Sequence, residues 1–147
     1  MRIETVHDVT FGAELPSFEP DTSLAAAGAF ADAVGWGNGA RFKNHERARR
    51  EGLPGALVPG IMAMGFLTSM IHRWSAAARI TRIDTVFRAP LLADEPFSLC
   101  GVVTEIDEAT GSVQLDLTVK NTAGETRVFG TADVRLPLAP ENTSQTV

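Results

Sequence analysis

Apolar residues recur at helical spacing in the first half of the chain. Leu24, Phe30 and Val34 fall on one helical face, with capping residues before them and Gly35 after them, which predicts a short amphipathic helix. Residues 61–71 are apolar on almost every side, so we predict a second, longer helix that is buried. The polar segment between them predicts about two helical turns over residues 44–51.

Alternating apolar and polar residues mark the second half of the chain and predict four strands. The four runs are RITRIDTVFRA, FSLCGVVTEID, SVQLDLTVKN and ETRVFGTADVRLP. The connections EATG and TAG are short and contain glycine, so they predict antiparallel pairing of the second strand with the third and of the third with the fourth. Residues 1–22 predict an edge strand and an extended lead-in. The predicted fold is therefore α+β, with one antiparallel sheet wrapped around the buried helix.

A single sheet leaves one side of the long helix uncovered. The remaining apolar surface and the free strand edges predict a dimer, formed with a second copy or with another chain of the same fold. The length of 147 residues suits one domain, which we assign to residues 1–137. The aperiodic residues 138–147 predict a loose C-terminal tail.

Composition and charge argue against several classes of protein. The apolar fraction of 44% is that of an ordinary folded domain, and the net charge of −5 argues against binding to nucleic acid or to an anionic membrane. Cys100 is the only cysteine, which excludes an intramolecular disulfide and suits a cytoplasmic protein. No membrane span, dinucleotide fingerprint, phosphate-binding loop or metal-ligand cluster is recognisable, so we predict neither a cofactor nor a metal.

Five segments follow one another in a recognisable order and spacing, namely FGAELPSF, FADAVGWGN, ARREGLPGALVPGIM, FRAPLLADEPF and ADVRLP. Over residues 8–137 the chain thereby resembles the MaoC-like hot-dog family of acyl-thioester hydratases and dehydratases. The resemblance implies a hot-dog fold, usually dimeric, that holds the thioester of CoA or of an acyl carrier protein in a tunnel near the subunit interface. It also implies the reversible addition of water to a trans-2-enoyl thioester.

The chain departs from this family at the residues that carry the chemistry. The family supplies its base and acid with an aspartate and, five residues later, a histidine in a segment resembling G-D-x-N-P-x-H. With Asn38 matched to the motif asparagine, these two positions hold Trp36 and Arg41. The register counted back from the following segment puts Gly37 and Phe42 there instead. Both registers lack the dyad.

His45 is the nearest substitute for a proton-transfer group, since its ordinary pKa suits that role. Asn38 or Asn44 could orient His45 or a water molecule. The alternative is that His45 is an exposed residue of the short helix. Trp36 either fills the space in front of the missing aspartate or stacks on an unusual acyl group. The pattern leaves these alternatives open.

Gly60 and Ile61 begin the long helix, where backbone N–H groups lack helical partners and the positive end of the helix dipole lies. The resemblance implies that the N–H of Gly60 holds the thioester oxygen; alternatively, the glycine only shapes the loop before the helix. The basic residues Arg41, Arg47 and Arg50 are predicted to contact CoA phosphates or an acidic carrier protein. A solvated helix face is the simpler interpretation of these arginines.

Three functions are consistent with the sequence. The first is an enzyme acting on a fatty-acid or polyketide-type thioester, with hydratase, dehydratase, isomerase or cyclase chemistry at a changed site. The second is a non-catalytic subunit of a heteromeric hot-dog dehydratase. The third is a protein that only binds an acyl ligand.

Overall fold

The computed structural model describes residues 2–36 and 39–140. Its three helices are α1 (Leu24–Ala33), α2 (His45–Arg50) and α3 (Gly60–Trp74). Short 3-10 turns lie at Val6–Asp8 and Ala40–Phe42. All three helices lie where the sequence predicts them.

Side-chain oxygens cap the first two helices, and capping by a side chain is predicted from the sequence for α1 only. The Ser23 side chain accepts a hydrogen bond from the N–H of Ala26, and the Asn44 side chain accepts one from the N–H of Arg47. Helix α3 begins after Pro59 without a side-chain cap. The start of α3 is therefore the place where helical N–H groups remain available.

In the described part of the chain six strands form two sheets, of which the larger contains the four predicted strands. The strands are β1 (Leu57–Val58), β2 (Arg79–Phe87), β3 (Leu91–Leu92), β4 (Ser98–Asp107), β5 (Ser112–Lys120) and β6 (Thr126–Arg135). The larger sheet is antiparallel with the order β2-β6-β5-β4, which confirms both predicted hairpins. Strands β1 and β3 pair separately as a small antiparallel ribbon. Two residues are too few to show alternation, so the sequence does not predict this ribbon.

Helix α3 packs one face against the inward face of the four-stranded sheet. The buried residues of this helix are Met62, Ala63, Leu67, Met70 and Ile71. Ile61 and Gly65 lie on its other face and are exposed. The prediction that α3 is buried on almost every side is therefore wrong for the single chain, because one sheet covers only one face of a helix.

The two edges of the larger sheet differ. The N-terminal segment runs beside β4, where the N–H of Gly12 donates to the carbonyl of Val103 and the N–H of Leu15 donates to the carbonyl of Gly101. The predicted N-terminal edge strand is thus only an isolated bridge between Glu14 and Val102. No strand of the described ranges covers the outer edge of β2.

The boundary of the domain stays a prediction, because residues 141–147 of the predicted tail lie outside the described residues. None of the helices found in residues 2–36 and 39–140 is both long and apolar enough to cross a lipid bilayer.

Candidate functional site

A cavity of about 360 Å³ lies at the start of α3, beside Gly60. The β1–β3 ribbon supplies one apolar wall through Leu57 and Leu91, and the end of β2 supplies Phe87. The ring of Phe87 lies against Gly60, since a β-carbon added to that glycine would be 3.3 Å from the ring. The absence of a side chain at Gly60 therefore keeps this cavity open.

The first N–H groups of α3 face no helical acceptor. Met62 and Ala63 already donate to the carbonyl of Pro59. Gly60 and Ile61 precede them, and within the described ranges neither of their N–H groups has an acceptor. The N–H groups and the positive end of the helix dipole suit a carbonyl oxygen that carries partial negative charge. Gly60 lines the cavity, whereas the side chain of Ile61 is exposed outside it.

Both candidate positions for the family histidine line the same cavity. Arg41 and Phe42 belong to the 3-10 turn Ala40–Phe42 and line the cavity together with residues of the ribbon. The side chain of Trp36 stacks on Phe42, with ring centroids 5.9 Å apart and planes inclined by 23°. Trp36 is 42% exposed and is not part of the cavity lining. The predicted site residue Asn38 and its neighbour Gly37 lie outside the described residues.

The cavity lining contains no acid–base pair. Among the described residues, its only charged side chains are those of Arg41 and Arg88, and no carboxylate or imidazole lines it. A guanidinium stays protonated at ordinary pH, so it can stabilise negative charge but is a poor proton donor or acceptor. The described lining can therefore bind and polarise a thioester, but it holds no group suited to moving a proton.

The structure places His45 behind the β1–β3 ribbon rather than in the cavity lining. Its Nδ1 accepts a hydrogen bond from the N–H of Ala56 at 3.0 Å, and its Nε2 lies 2.6 Å from Oδ2 of Asp94. An N–H group can only donate, so Nδ1 accepts and Nε2 carries the ring proton. Both nitrogens of His45 are thus engaged. Asn44 caps α2 with its side-chain oxygen and makes no hydrogen bond to His45.

Asp94 is a residue of this site region that the sequence does not reveal. It follows β3 with a φ of 66°, a conformation that aspartate tolerates better than most residues. Its Oδ1 accepts the N–H of Leu24 at 2.8 Å, at the start of α1. The hydrogen bonds from His45 and from the Leu24 N–H hold the pKa of Asp94 below its ordinary value. The segment LADEP indicates a turn, but nothing in it predicts that Asp94 forms a hydrogen bond with His45, 49 residues away.

Because the pKa of Asp94 is lower in the folded protein than its ordinary value, the contribution of Asp94 to stability depends on pH. The ionised form is the better hydrogen-bond acceptor, so this contribution is complete above the unfolded pKa of about 3.9 and is lost as pH falls through the lower folded pKa. We expect Asp94→Asn to lower Tm relative to the parent at about pH 5, with the difference shrinking as pH falls toward about 2. Parallel thermal scans of both proteins measure this. A difference independent of pH would contradict it.

The predicted carrier contacts divide between two surfaces. Arg41 lines the cavity, and its Nε lies 3.9 Å from a carboxylate oxygen of Glu51, a residue that is not part of the lining. Arg47 and Arg50 lie on the exposed surface of α2, and Arg50 pairs with Glu46 at 2.6 Å. Exposed pairs of this kind contribute little to stability, so Arg50 can exchange its partner for another anion. Contact of these arginines with CoA or with a carrier protein stays a prediction.

A larger groove of about 810 Å³ lies at the opposite end of α3, beside His72 and Trp74. Helix carbonyls and the negative end of the dipole face that end, which disfavours an oxygen with developing negative charge. The cavity beside Gly60 therefore suits a thioester better, although it is smaller.

Comparison with solved structures identifies the architecture. The R-hydratase PhaJ1 from Pseudomonas aeruginosa has a TM-score of 0.83 and 14% identity, with coverage of 92% of this chain and 86% of that chain. A MaoC-like dehydratase from Rhodospirillum rubrum has a TM-score of 0.76 and 16% identity, with coverage of 92% and 98%. The ChsH1-ChsH2 complex from Mycobacterium tuberculosis has a TM-score of 0.77 and 19% identity, with coverage of 87% and 98%.

No protein-family model matches the sequence, and no curated protein is similar to it in sequence. The structural likeness is nevertheless extensive, because it spans nearly the whole of both chains in each comparison. The chain has the hot-dog fold of MaoC-like hydratases and dehydratases, which confirms the fold that its motifs predict.

Proposed function

We propose that this chain is the acyl-thioester-binding subunit of a heteromeric hot-dog dehydratase or hydratase, and that its partner supplies the acid and base. The observation that carries this proposal is a cavity at the start of α3 whose described lining has no carboxylate and no imidazole. A chain that has kept the binding features without the proton-transfer groups is suited to hold an acyl group rather than to react with it.

The cavity offers a contact for each part of an acyl thioester. Apolar side chains of the β1–β3 ribbon would contact the acyl chain, and the N–H groups of Gly60 and Ile61 would hold the carbonyl oxygen. Arg41 and Arg88 would attract the phosphates of CoA or of a carrier-protein arm.

The open edge of β2 is the surface that we propose for the partner. This strand is nine residues long, and its outer edge lies opposite the edge that the N-terminal segment covers. Long uncovered edges promote pairing with another sheet. One of the structures of similar fold is a complex of two different proteins, ChsH1 and ChsH2, and it supports an assembly of this kind.

The existence of a partner is tested by isolating the tagged chain from its native host and identifying the co-purifying proteins by mass spectrometry. We expect a stoichiometric hot-dog chain with an intact D-x-N-P-x-H segment, and hydration of crotonyl-CoA by the complex. Sedimentation of the complex should show a defined heteromer. A stable monomer that binds neither acyl-CoA nor a second hot-dog chain would contradict the proposal. A partnerless oligomer that binds acyl-CoA would favour the acyl-binding alternative.

A further inference from the structure

His45 and Asp94 close a ring of hydrogen bonds behind the β1–β3 ribbon. The N–H of Ala56 donates to Nδ1 of His45 at 3.0 Å, and the carbonyl of Ala56 accepts the N–H of Ala93 at 2.8 Å. Asp94 follows Ala93 and accepts the Nε2 proton of His45 at 2.6 Å. The two strands of the ribbon are thus joined twice, once through their backbones and once through the two side chains.

The same ring is anchored to α1. The N–H of Leu24 donates to Oδ1 of Asp94, and the N–H of Asp94 donates to the carbonyl of Thr22. The Thr22 hydroxyl in turn donates to the carbonyl of Glu95 at 2.6 Å. Asp94 has a φ of 66°, a backbone conformation that aspartate adopts infrequently. The hydrogen bonds around Asp94 hold it in this conformation.

The local backbone leaves room for the imidazole and little else. Gly55 is buried, and a β-carbon added to it would lie 3.1 Å from Nδ1 of His45. A side chain at position 55 would force the imidazole or the backbone to shift, so glycine favours this close approach. The imidazole is 27% exposed, so water competes only partly for its hydrogen bonds.

We propose that His45 is a positioning residue, which as the Nε2-protonated tautomer fixes the β1–β3 ribbon to Asp94 and to α1. The ribbon supplies Leu57, Val58 and Leu91 to the cavity and leads directly into Pro59 and Gly60. His45 thereby sets one wall of the cavity and the place at which the N–H groups of α3 are presented. The effect on ligand binding rests on the proposed function, but the positioning of the ribbon does not.

Two conservative variants separate the two hydrogen bonds of His45. In His45→Asn the side-chain oxygen is near the place of Nδ1 and can accept the N–H of Ala56, but no atom reaches Asp94. In His45→Gln the amide nitrogen is near the place of Nε2 and can donate to Asp94, but Ala56 loses its acceptor. His45→Ala removes both contacts. His72→Ala, on the exposed last turn of α3, is the matched histidine control.

Amide hydrogen exchange of the full chain and titration with crotonyl-CoA and octanoyl-CoA are the two measurements. We expect His45→Ala to accelerate exchange at Ala56 and Ala93 and to raise Kd by about tenfold, without changing exchange in β5. We expect His45→Asn to retain protection of Ala56, His45→Gln to lose it, and both to bind more tightly than His45→Ala. His72→Ala should behave as the parent in both measurements.

Parental exchange at Ala56 in His45→Ala would overturn the positioning role. Equal acceleration at Ala56 and in β5 would also overturn it, because that result describes a loss of global stability. If the parent binds neither acyl-CoA while exchange at Ala56 changes as expected, the positioning role stands and the proposed function fails.

Discussion

Crotonyl-CoA is expected to remain unhydrated by the isolated chain. General acid–base groups each contribute roughly 10²–10⁴-fold to a rate, and the described lining of the cavity offers neither an acid nor a base. Stopped assays on the chain purified without a partner should therefore show a rate at or near that of the buffer. A turnover of about 10 s⁻¹, which is ordinary for an enzyme, would refute the proposal that the acid and the base come from a partner chain.

Restoring the dyad tests which register corresponds to the family motif. One double variant combines Trp36→Asp with Arg41→His, and the other combines Gly37→Asp with Phe42→His. Arg41 and Phe42 both line the cavity, so a histidine at either place starts from a plausible position. We expect each single variant to stay inactive, because one proton-transfer group remains missing, and one of the two double variants to gain activity.

The double variants need controls for the loss of aromatic packing, with thermal unfolding measured for each variant. Trp36 stacks on Phe42, so replacing either aromatic residue removes a contact as well as adding a polar group. Trp36→Phe and Phe42→Leu retain apolar packing without introducing chemistry, and they show how much of any change in rate comes from packing. Activity in a single variant would contradict the requirement for both groups.

The helices and the long strands are predictable from sequence because their signals are local. Ser23 and Asn44 cap the helices that follow them, and the glycine-bearing turns EATG and TAG fix the neighbours of β5. The pairing of β2 with β6 is not local, because β3, β4 and β5 lie between these two strands along the chain. No periodicity encodes that closure, which depends on how the sheet packs on α3.

The candidate site is only partly predictable for the same reason. Gly60 and Arg41 follow from the motif order, and the structure brings both to one cavity. The sequence also points to His45 as a histidine near that motif. Its hydrogen bonds are not predictable, because Asp94 is 49 residues away and Ala56 contributes only its backbone N–H. A contact of that kind leaves no pattern in a single sequence.

Replacing Gly60 with valine is expected to abolish acyl-thioester binding while leaving the protein folded. The new β-carbon would lie 3.3 Å from the ring of Phe87, and the two methyl groups beyond it would enter the space in front of the helical N–H groups. Phe87 is 47% exposed, so its ring can move aside and the fold can tolerate the change. Gly60 is not among the glycines with positive φ, so the substitution adds no left-handed backbone strain.

Gly65→Val is the matched control, because it makes the same substitution on the same helix. A β-carbon at Gly65 meets no atom within 4 Å, so this variant reports the helix propensity of valine without blocking the cavity. We expect both variants to have a Tm within about 4 °C of the parent. Sedimentation verifies that both keep the parental assembly.

Titration with crotonyl-CoA and octanoyl-CoA then separates the two glycines. Gly65→Val should bind as the parent does, whereas Gly60→Val should show no measurable binding and Gly60→Ala an intermediate loss. In a reconstituted complex, Gly60→Ala should reduce turnover more than binding, because a hydrogen bond to a developing oxyanion strengthens toward the transition state. Parental binding by a folded Gly60→Val variant would place the thioester elsewhere and remove the cavity at the start of α3 from the proposed function.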